Sequence, residues 1–229
     1  MTATAEANSA APARHVRKDS PIKGVLAKWY ASNTGKSLAV FSKLARRVAD
    51  ELPQGSKVLE VAPGPGYFCI ELAKLGPYSI TGVDLSPTFV EIAASKAAAA
   101  GVKVEFKQGN ASSLPLPDDT FDFLLCRAAF KNFAQPVGAL QEMCRVLKPE
   151  ARGLLIDLNR DASPESIDHA VNDMDLNFAN RIVTKLIFRT MLLRRAYSRQ
   201  EFKQLLAQTG FRHVDIQEAD IGFEISMTK

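Results

Sequence analysis

The stretch VLEVAPGPGYF, residues 58–68, decides how the rest of the chain reads. An apolar run carries Glu60 near its end and passes into a turn built from Pro63, Gly64, Pro65 and Gly66. A strand, a glycine-rich turn and a helix in succession open a nucleotide pocket. Glycine lets the backbone approach a ligand, and the helix that follows presents unpaired N–H groups to it. Ala62 stands where a first glycine is expected, and its methyl group is expected to exclude positive φ there. Glu60 sharpens the choice of ligand: a carboxylate before the turn repels a pyrophosphate but suits a cofactor bearing an ammonium and a sulfonium. The turn also lacks the GxGxxG spacing of nicotinamide-binding loops, which sets an oxidoreductase far behind.

Working outward, residues 57–158 alternate between strand and helix. KVLEVA leads to YFCIELAKLG, SITGVD to SPTFVEIAASKAAAAG, and KVEFKQ to a Pro-broken loop, GNASSLPLPDDT. FDFLLC, PVGALQEMCRVLKP and RGLLIDL complete the run. Such alternation implies right-handed βαβ units and a parallel sheet. The ending differs: SRQEFKQLLAQTG reads as a helix with a Ser198/Glu201 capping box and a closing Gly210. The period-two pattern of RHVDIQEADIGFEISMTK then reads as an antiparallel hairpin turning at Glu218–Asp220. The expected architecture is α/β: a doubly wound, mostly parallel seven-stranded sheet with a C-terminal antiparallel hairpin and a helical lid. Its expected parts are a disordered tail over 1–20 and a single domain over 21–229. Within the domain, 21–52 reads as an N-terminal helical cover, 55–158 as the cofactor-binding core, 159–197 as the lid, and 198–229 as the last helix and hairpin.

Composition narrows the class. Hydrophobic residues make up 46% of the 229 and charged residues 24%, as in an ordinary globular protein. Cys69, Cys126 and Cys144 have neither CxxC nor metal-ligand spacing, so reduced thiols in the cytoplasm are expected and no metal site. No apolar run reaches the length of a membrane span, and MTATAEANSAAPARHVRKDS lacks a signal-peptide core. The net charge of +4 is unevenly spread. Between Arg181 and Lys203, seven basic residues face one acidic residue, Glu201, giving +6 and leaving −2 for the rest of the chain. That is one basic patch, without the aromatic interleaving of a nucleic-acid surface.

Two further features build a site with the turn. Asp84 ends the second strand, eighteen residues beyond Gly66, where a carboxylate can accept both hydrogens of a ribose diol; it could also cap the next helix. In this order, VLEVAPGPGYF, ITGVDLS, GNASSLPLPDDTFD and EMCRVLKPEARGLLIDL resemble the class I S-adenosylmethionine-dependent methyltransferases. The small-molecule branch that includes the ubiquinone/menaquinone biosynthesis enzymes is the most similar. The likeness covers about 55–160 and, in outline, the hairpin.

The resemblance implies the cofactor S-adenosyl-L-methionine and the product S-adenosyl-L-homocysteine. It implies that Glu60, Gly64 and Gly66 hold the methionine end, with Ala62 also among the cofactor-binding residues, that Asp84 takes the ribose hydroxyls, and that Leu85 packs on the adenine. Asn110 falls where the family commonly has Asp and can accept from the adenine amino group, with Ala111 offering a backbone N–H. Cys126 and Arg127 would line the methionine or methyl side, and Tyr30 would lie over the cofactor. The turn at Glu150–Arg152 replaces a PGG-type turn of the family, away from the cofactor.

Methyl transfer is an in-line displacement in which the cofactor carries the reactivity and the protein aligns, desolvates and, for a neutral hydroxyl, supplies a base. The expected acceptor is a small molecule with an O, S, N or C nucleophile. Arg127, Lys131 and His169 are the catalytic candidates; Phe130, Phe133, Asp157 and Arg160 share the rim expected to meet the acceptor, or serve core and capping roles. Alternatives are an RNA or protein methyltransferase, or a non-catalytic regulatory protein that binds the same cofactor. In the lid, Arg181, Lys185 and Arg189 form a basic stripe, with Ile182, Leu186 and Leu193 on another face. A solvated face opposite a core face is one reading; attraction of an anionic substrate and peripheral contact of 181–195 with an acidic membrane are the others. Lid helices of this fold serve some members as dimer contacts, and nothing in this sequence demands one.

Overall fold

Strand order β3-β2-β1-β4-β5-β7-β6 gives the expected seven-stranded sheet. The structure is a computed structural model describing Gly24, Ala27, residues 38–172 and residues 178–229, with side chains left out at 178–180, 183, 187, 189 and 191. The tail over 1–20, most of the 21–37 cover and Tyr30 lie outside the described residues.

Helix α1 (Leu38–Glu51) precedes β1 (Lys57–Val61), α2 (Tyr67–Ala73), β2 (Ser79–Asp84), α3 (Pro87–Ala99), β3 (Glu105–Gln108) and β4 (Phe121–Arg127). Then come α4 (Pro136–Val146), β5 (Leu147–Leu158), α5 (Pro164–Asn172), α6 (Phe178–Ile187, running on to Arg195), α7 (Arg199–Leu206), β6 (His213–Ala219) and β7 (Gly222–Thr228). Strands β1 to β5 pair in parallel, and β7 runs antiparallel to both β5 and β6.

Period-two alternation sorts each central strand between two cores. Leu59 and Val61 of β1, with Leu124 and Cys126 of β4, pack with Ala139, Leu140 and Met143 of α4 and Phe202 of α7. Val58, Phe123 and Leu125 point the other way, onto Leu44 and Val48 of α1 and Phe68 and Leu72 of α2. The chain therefore winds one way from β1 to β3 and the other way from β4 onward. The switch lies between β1 and β4, where ligands sit in open sheets of this kind.

Several local expectations change. Ser198 accepts from Glu201 N and Glu201 accepts from Ser198 N, the expected capping box, yet α7 ends at Leu206 with Ala207 as its C-cap, and Gly210 has no positive φ. Gly210 instead lies where a Cβ would come 3.2 Å from Cys144 Sγ. Strand β5 starts at Leu147, five residues earlier than expected, because a bulge absorbs the turn: Phe121 pairs with Leu147 and Phe123 already with Arg152. Glu150, with φ 65°, sits inside that bulge.

Lys131 and Asp157 were expected at the acceptor rim; both are buried and joined. Lys131 Nζ donates to Asp157 Oδ1 at 3.0 Å and also to Ala128 O, while Lys131 N donates to Asp157 Oδ2 at 2.9 Å. Removing one partner strands a buried charge, so Lys131→Met should lower unfolding free energy by about 3 kcal/mol in urea titrations. A loss below about 1 kcal/mol, the scale of an exposed ion pair, would contradict a buried one.

Candidate active site

The turn after β1 is held from both sides. Ala62 N donates to Val83 O at 2.8 Å, Gly64 N to Asp84 Oδ2 at 2.9 Å, and Gly66 N to Pro63 O at 3.0 Å. Ala62 adopts φ 57°, against the expectation that its methyl excludes positive φ. An alanine pays about 1–2 kcal/mol for that region, and the flanking backbone bonds hold it there.

The two glycines do different work. A side chain at Gly64 would meet nothing within 4 Å, so the backbone there borders open space. One at Gly66 would meet Phe106 Cζ at 2.7 Å and Ala93 Cβ at 2.9 Å. Gly66 thus lets α2 approach α3 and β3 and enters the helix at φ 76°. A side chain is thus barred at Gly66 by packing, and at Gly64 by its positive φ of 54° alone.

Glu60 is only 4% exposed, on the α1 side of the sheet. The Cys69 thiol donates to its Oε2 at 2.9 Å. Burial raises its pKa from 4.5 to about 7; the Cys69 hydrogen bond and the Arg127 charge offset this in part, and Asp84 adds to it. Asp84, 7% exposed, ends the adjacent strand. Its Oδ1 accepts Ser86 N at 2.8 Å while Oδ2 holds Gly64, and burial pushes its carboxyl up against those two bonds. It does not cap α3; Ser86 does, accepting from Phe89 N. Each Asp84 oxygen retains a second lone pair.

Arg127, at the end of β4, lies with its guanidinium carbon 4.7 Å from the centroid of Phe41, whose ring is 5.4 Å from Tyr67. Cys126 was expected beside it on the same lining. Adjacent strand residues face opposite ways, and Cys126 is fully buried in the core with Phe130 and α4. Phe130 and Phe133 also belong to that core, Phe130 stacking on Phe202 at 5.6 Å. Arg160 is committed to Ala196 O and Glu201, pinning the start of α7 to the exit of β5. His169 sits on the exposed side of α5, between buried Ile167 and Val171.

Beyond β2, Leu85 is half-buried and its carbonyl accepts from Gln108 Nε2 at 3.5 Å. Asn110 Oδ1 accepts Ser112 N at 2.9 Å, shaping the loop in which half-buried Ala111 packs against the core. Glu60, Gly64, Asp84 and Arg127 therefore gather at the switch point, and Leu85, Asn110 and Ala111 continue the same edge. Lys131 and Cys126 turn inward, and His169 stands on the lid. Sequence reasoning missed Cys69 and Phe41; the i, i+9 relation of Glu60 to Cys69 across a turn gives no periodic signal.

Residues 59–155 match the family profile described as "Methyltransferase domain". A demethylmenaquinone methyltransferase of Deinococcus radiodurans is 41% identical over 108 residues, 47% of this chain and 45% of that protein. A ubiquinone/menaquinone biosynthesis C-methyltransferase of Francisella philomiragia is 27% identical over 72% of this chain and 70% of its own length. The chain thus spans about half the length of the first of these curated relatives. Among solved structures, a SAM-dependent methyltransferase from Aquifex aeolicus shares the fold at TM-score 0.62 and 23% identity, covering 84% of this chain and 98% of its own. The matched methyltransferase domain begins inside β1 and ends inside β5, so it contains Glu60, Asp84, Asn110 and Arg127.

The raised carboxyl makes a signed prediction. Glu60 stays neutral in the folded protein over a range where the unfolded chain ionises it. Its contribution is present below pH 4.5 and is lost as pH rises through about 7. The loss approaches about 3 kcal/mol. Glu60→Gln should therefore flatten the decline in melting temperature between pH 5 and 8 measured without ligand. Parallel profiles for the two proteins would assign that titration to another group.

Proposed function

We propose that the chain is an S-adenosylmethionine-dependent methyltransferase acting on a small aromatic acceptor of the quinol class. The reading is carried by one observation: two buried carboxyls, Glu60 and Asp84, end adjacent strands at the switch point, and the turn between them borders open space at Gly64. The residues fit this cofactor. A buried carboxyl raised to about 7 is short of positive charge, and an ammonium or sulfonium nearby would restore its ionised form. In this assignment Glu60 and Gly64 hold the methionine end, with Ala62 shaping the turn. Asp84 accepts the ribose hydroxyls through its remaining lone pairs. Leu85 packs on the adenine, while Asn110 and Ala111 meet its edge.

When bound, the cofactor supplies an electrophilic methyl group on a cationic sulfur. Arg127 stands beside Glu60 with its guanidinium over Phe41, and it offers an anionic oxygen a cation at the mouth of the site. That suits a quinol, whose ring carbon becomes nucleophilic when a ring hydroxyl gives up its proton. Homology to proteins named for demethylmenaquinone and ubiquinone/menaquinone methylation supports the same class of acceptor. Lys131 holds β4 to β5 in this reading and does not touch the acceptor.

Calorimetry tests the cofactor. S-adenosylmethionine and S-adenosylhomocysteine should bind and NADH should not; affinity should rise, and a proton be released, as pH climbs from 6 toward 8. Asp84→Ala should weaken binding more than tenfold, about 1.4 kcal/mol. Folded protein that binds neither sulfur ligand would sink the proposal. Acceptors are separated by following S-adenosylhomocysteine formation with quinols, phenols, thiols and amines. Turnover confined to quinols supports the reading, and silence across the panel alongside tight cofactor binding would replace it with a regulatory role.

A further inference from the structure

The lid turns outward part of an apolar face that the sequence pattern left open between a core role and contact with an acidic membrane. Helix α6 runs regularly over Phe178–Ile187, widens into a π turn over Phe188–Leu192 and closes over Leu193–Arg195. A π turn takes in one extra residue, so side chains beyond it are rotated by roughly 100° from their place on an unbroken helix. Leu193 is carried to the buried side, against Ile167 and Val171. Arg194 comes into line with Ile182, Leu186 and Thr190. All four are exposed, Ile182 at 54% and Leu186 at 60%, and exposed Arg195 adjoins Arg194. On a flank of the same helix, Lys185 is spent on Asp168 of α5 at 3.3 Å.

We propose that this stripe seats the lid on an anionic phospholipid surface. Ile182 and Leu186 enter the acyl boundary, and Arg194 and Arg195 meet the lipid phosphates. The stripe spans about 18 Å of helix, with Ile182 and Leu186 toward one end and Arg194 and Arg195 at the other, so the same exposed line offers apolar side chains to the acyl boundary and guanidiniums to the phosphates. Charge points the same way. The segment from Arg181 to Lys203, which carries the stripe, holds +6 in a chain whose remainder sums to −2, so the excess positive charge lies in the part of the chain that would meet anionic lipid. Among the described residues no helix is long and apolar enough to cross a membrane, and contact through this stripe requires none. A second copy fits less well. Antiparallel crossing sets a guanidinium against Ile182, and parallel crossing brings like charges together. The proposal does not depend on the methyl-transfer reading, since none of its residues belongs to the cofactor site.

The test is co-sedimentation of the full chain with equimolar phosphatidylglycerol/phosphatidylcholine vesicles and with pure phosphatidylcholine vesicles. Binding to the anionic vesicles should exceed binding to the neutral ones by about tenfold or more at about 0.1 M salt, and should weaken as salt rises. Ile182→Glu/Leu186→Glu and Arg194→Gln/Arg195→Gln should each lower it by about tenfold. The substituted side chains are exposed, so circular dichroism and melting temperature should hold in both variants. Equal binding to both vesicles, or to neither, overturns the proposal. So does a dimer that Ile182→Glu/Leu186→Glu splits without any vesicle binding, or binding of RNA that Arg194→Gln/Arg195→Gln abolishes in a protein indifferent to lipid.

Discussion

Two aspartates latch the carboxyl edge of the sheet, and the site depends on how they differ. Asp84 ends β2 and holds the turn leaving β1, through Gly64 N and Ser86 N. Asp157, near the end of β5, holds the segment leaving β4 through Lys131 N and also accepts Leu158 N. Each latch secures an alanine in the left-handed region, Ala62 or Ala128, both at φ 57°. Each alanine also donates its N–H to the neighbouring strand, Ala62 to Val83 O and Ala128 to Ile156 O. The switch point is thus flanked by two strained turns, each braced by a buried carboxyl. At Asp157 the Lys131 ammonium completes the arrangement. Among the described residues no ammonium or guanidinium pairs with Asp84, and its carboxyl is held up by burial. The same backbone device closes one side of the sheet edge and leaves the other with acceptor capacity to spare.

Glu60 shows the energetic counterpart of that openness. A carboxyl buried without a full counter-charge is a standing cost to the folded chain above its raised pKa. Arg127 lowers that cost from a distance, its guanidinium resting on the Phe41 ring. A cationic ligand that repairs the imbalance gains affinity from the same term that weakens the empty protein. Such a site trades stability for binding.

Most of the fold was legible because periodicity reports burial. The alternation of strands and helices, the appended hairpin and the Ser198 capping box stand where the sequence pattern puts them, except that the hairpin turns at residues 220–221 and not at Glu218–Asp220, because Glu218 and Ala219 still pair with Phe223 and Gly222. The nearness of Glu60, Gly64 and Asp84 at the edge of β1 and β2 was legible too, since spacing along a βα turn is local information. What escaped was set by neighbours distant in sequence. Nothing local to Gly66 signals that Phe106, from another strand, fills the space a side chain there would need. Lys131 looked like a rim cation until Asp157, twenty-six residues on, claimed it. The bulge in β5 hid inside a stretch that reads as the end of a helix and a turn.

The lid illustrates a subtler failure of pattern. Ile182, Leu186 and Leu193 share a face only if the helix keeps 3.6 residues per turn throughout. The π turn breaks that premise, and one inserted residue sends Leu193 inward while leaving Ile182 and Leu186 in solvent. Burying all three would require an unbroken helix, which would carry Arg194 off the apolar stripe. With the π turn, Leu193 anchors the lid to α5 and Arg194 extends the exposed face. The irregularity therefore divides one apolar face into two, one that holds the lid to the protein and one that it presents outward.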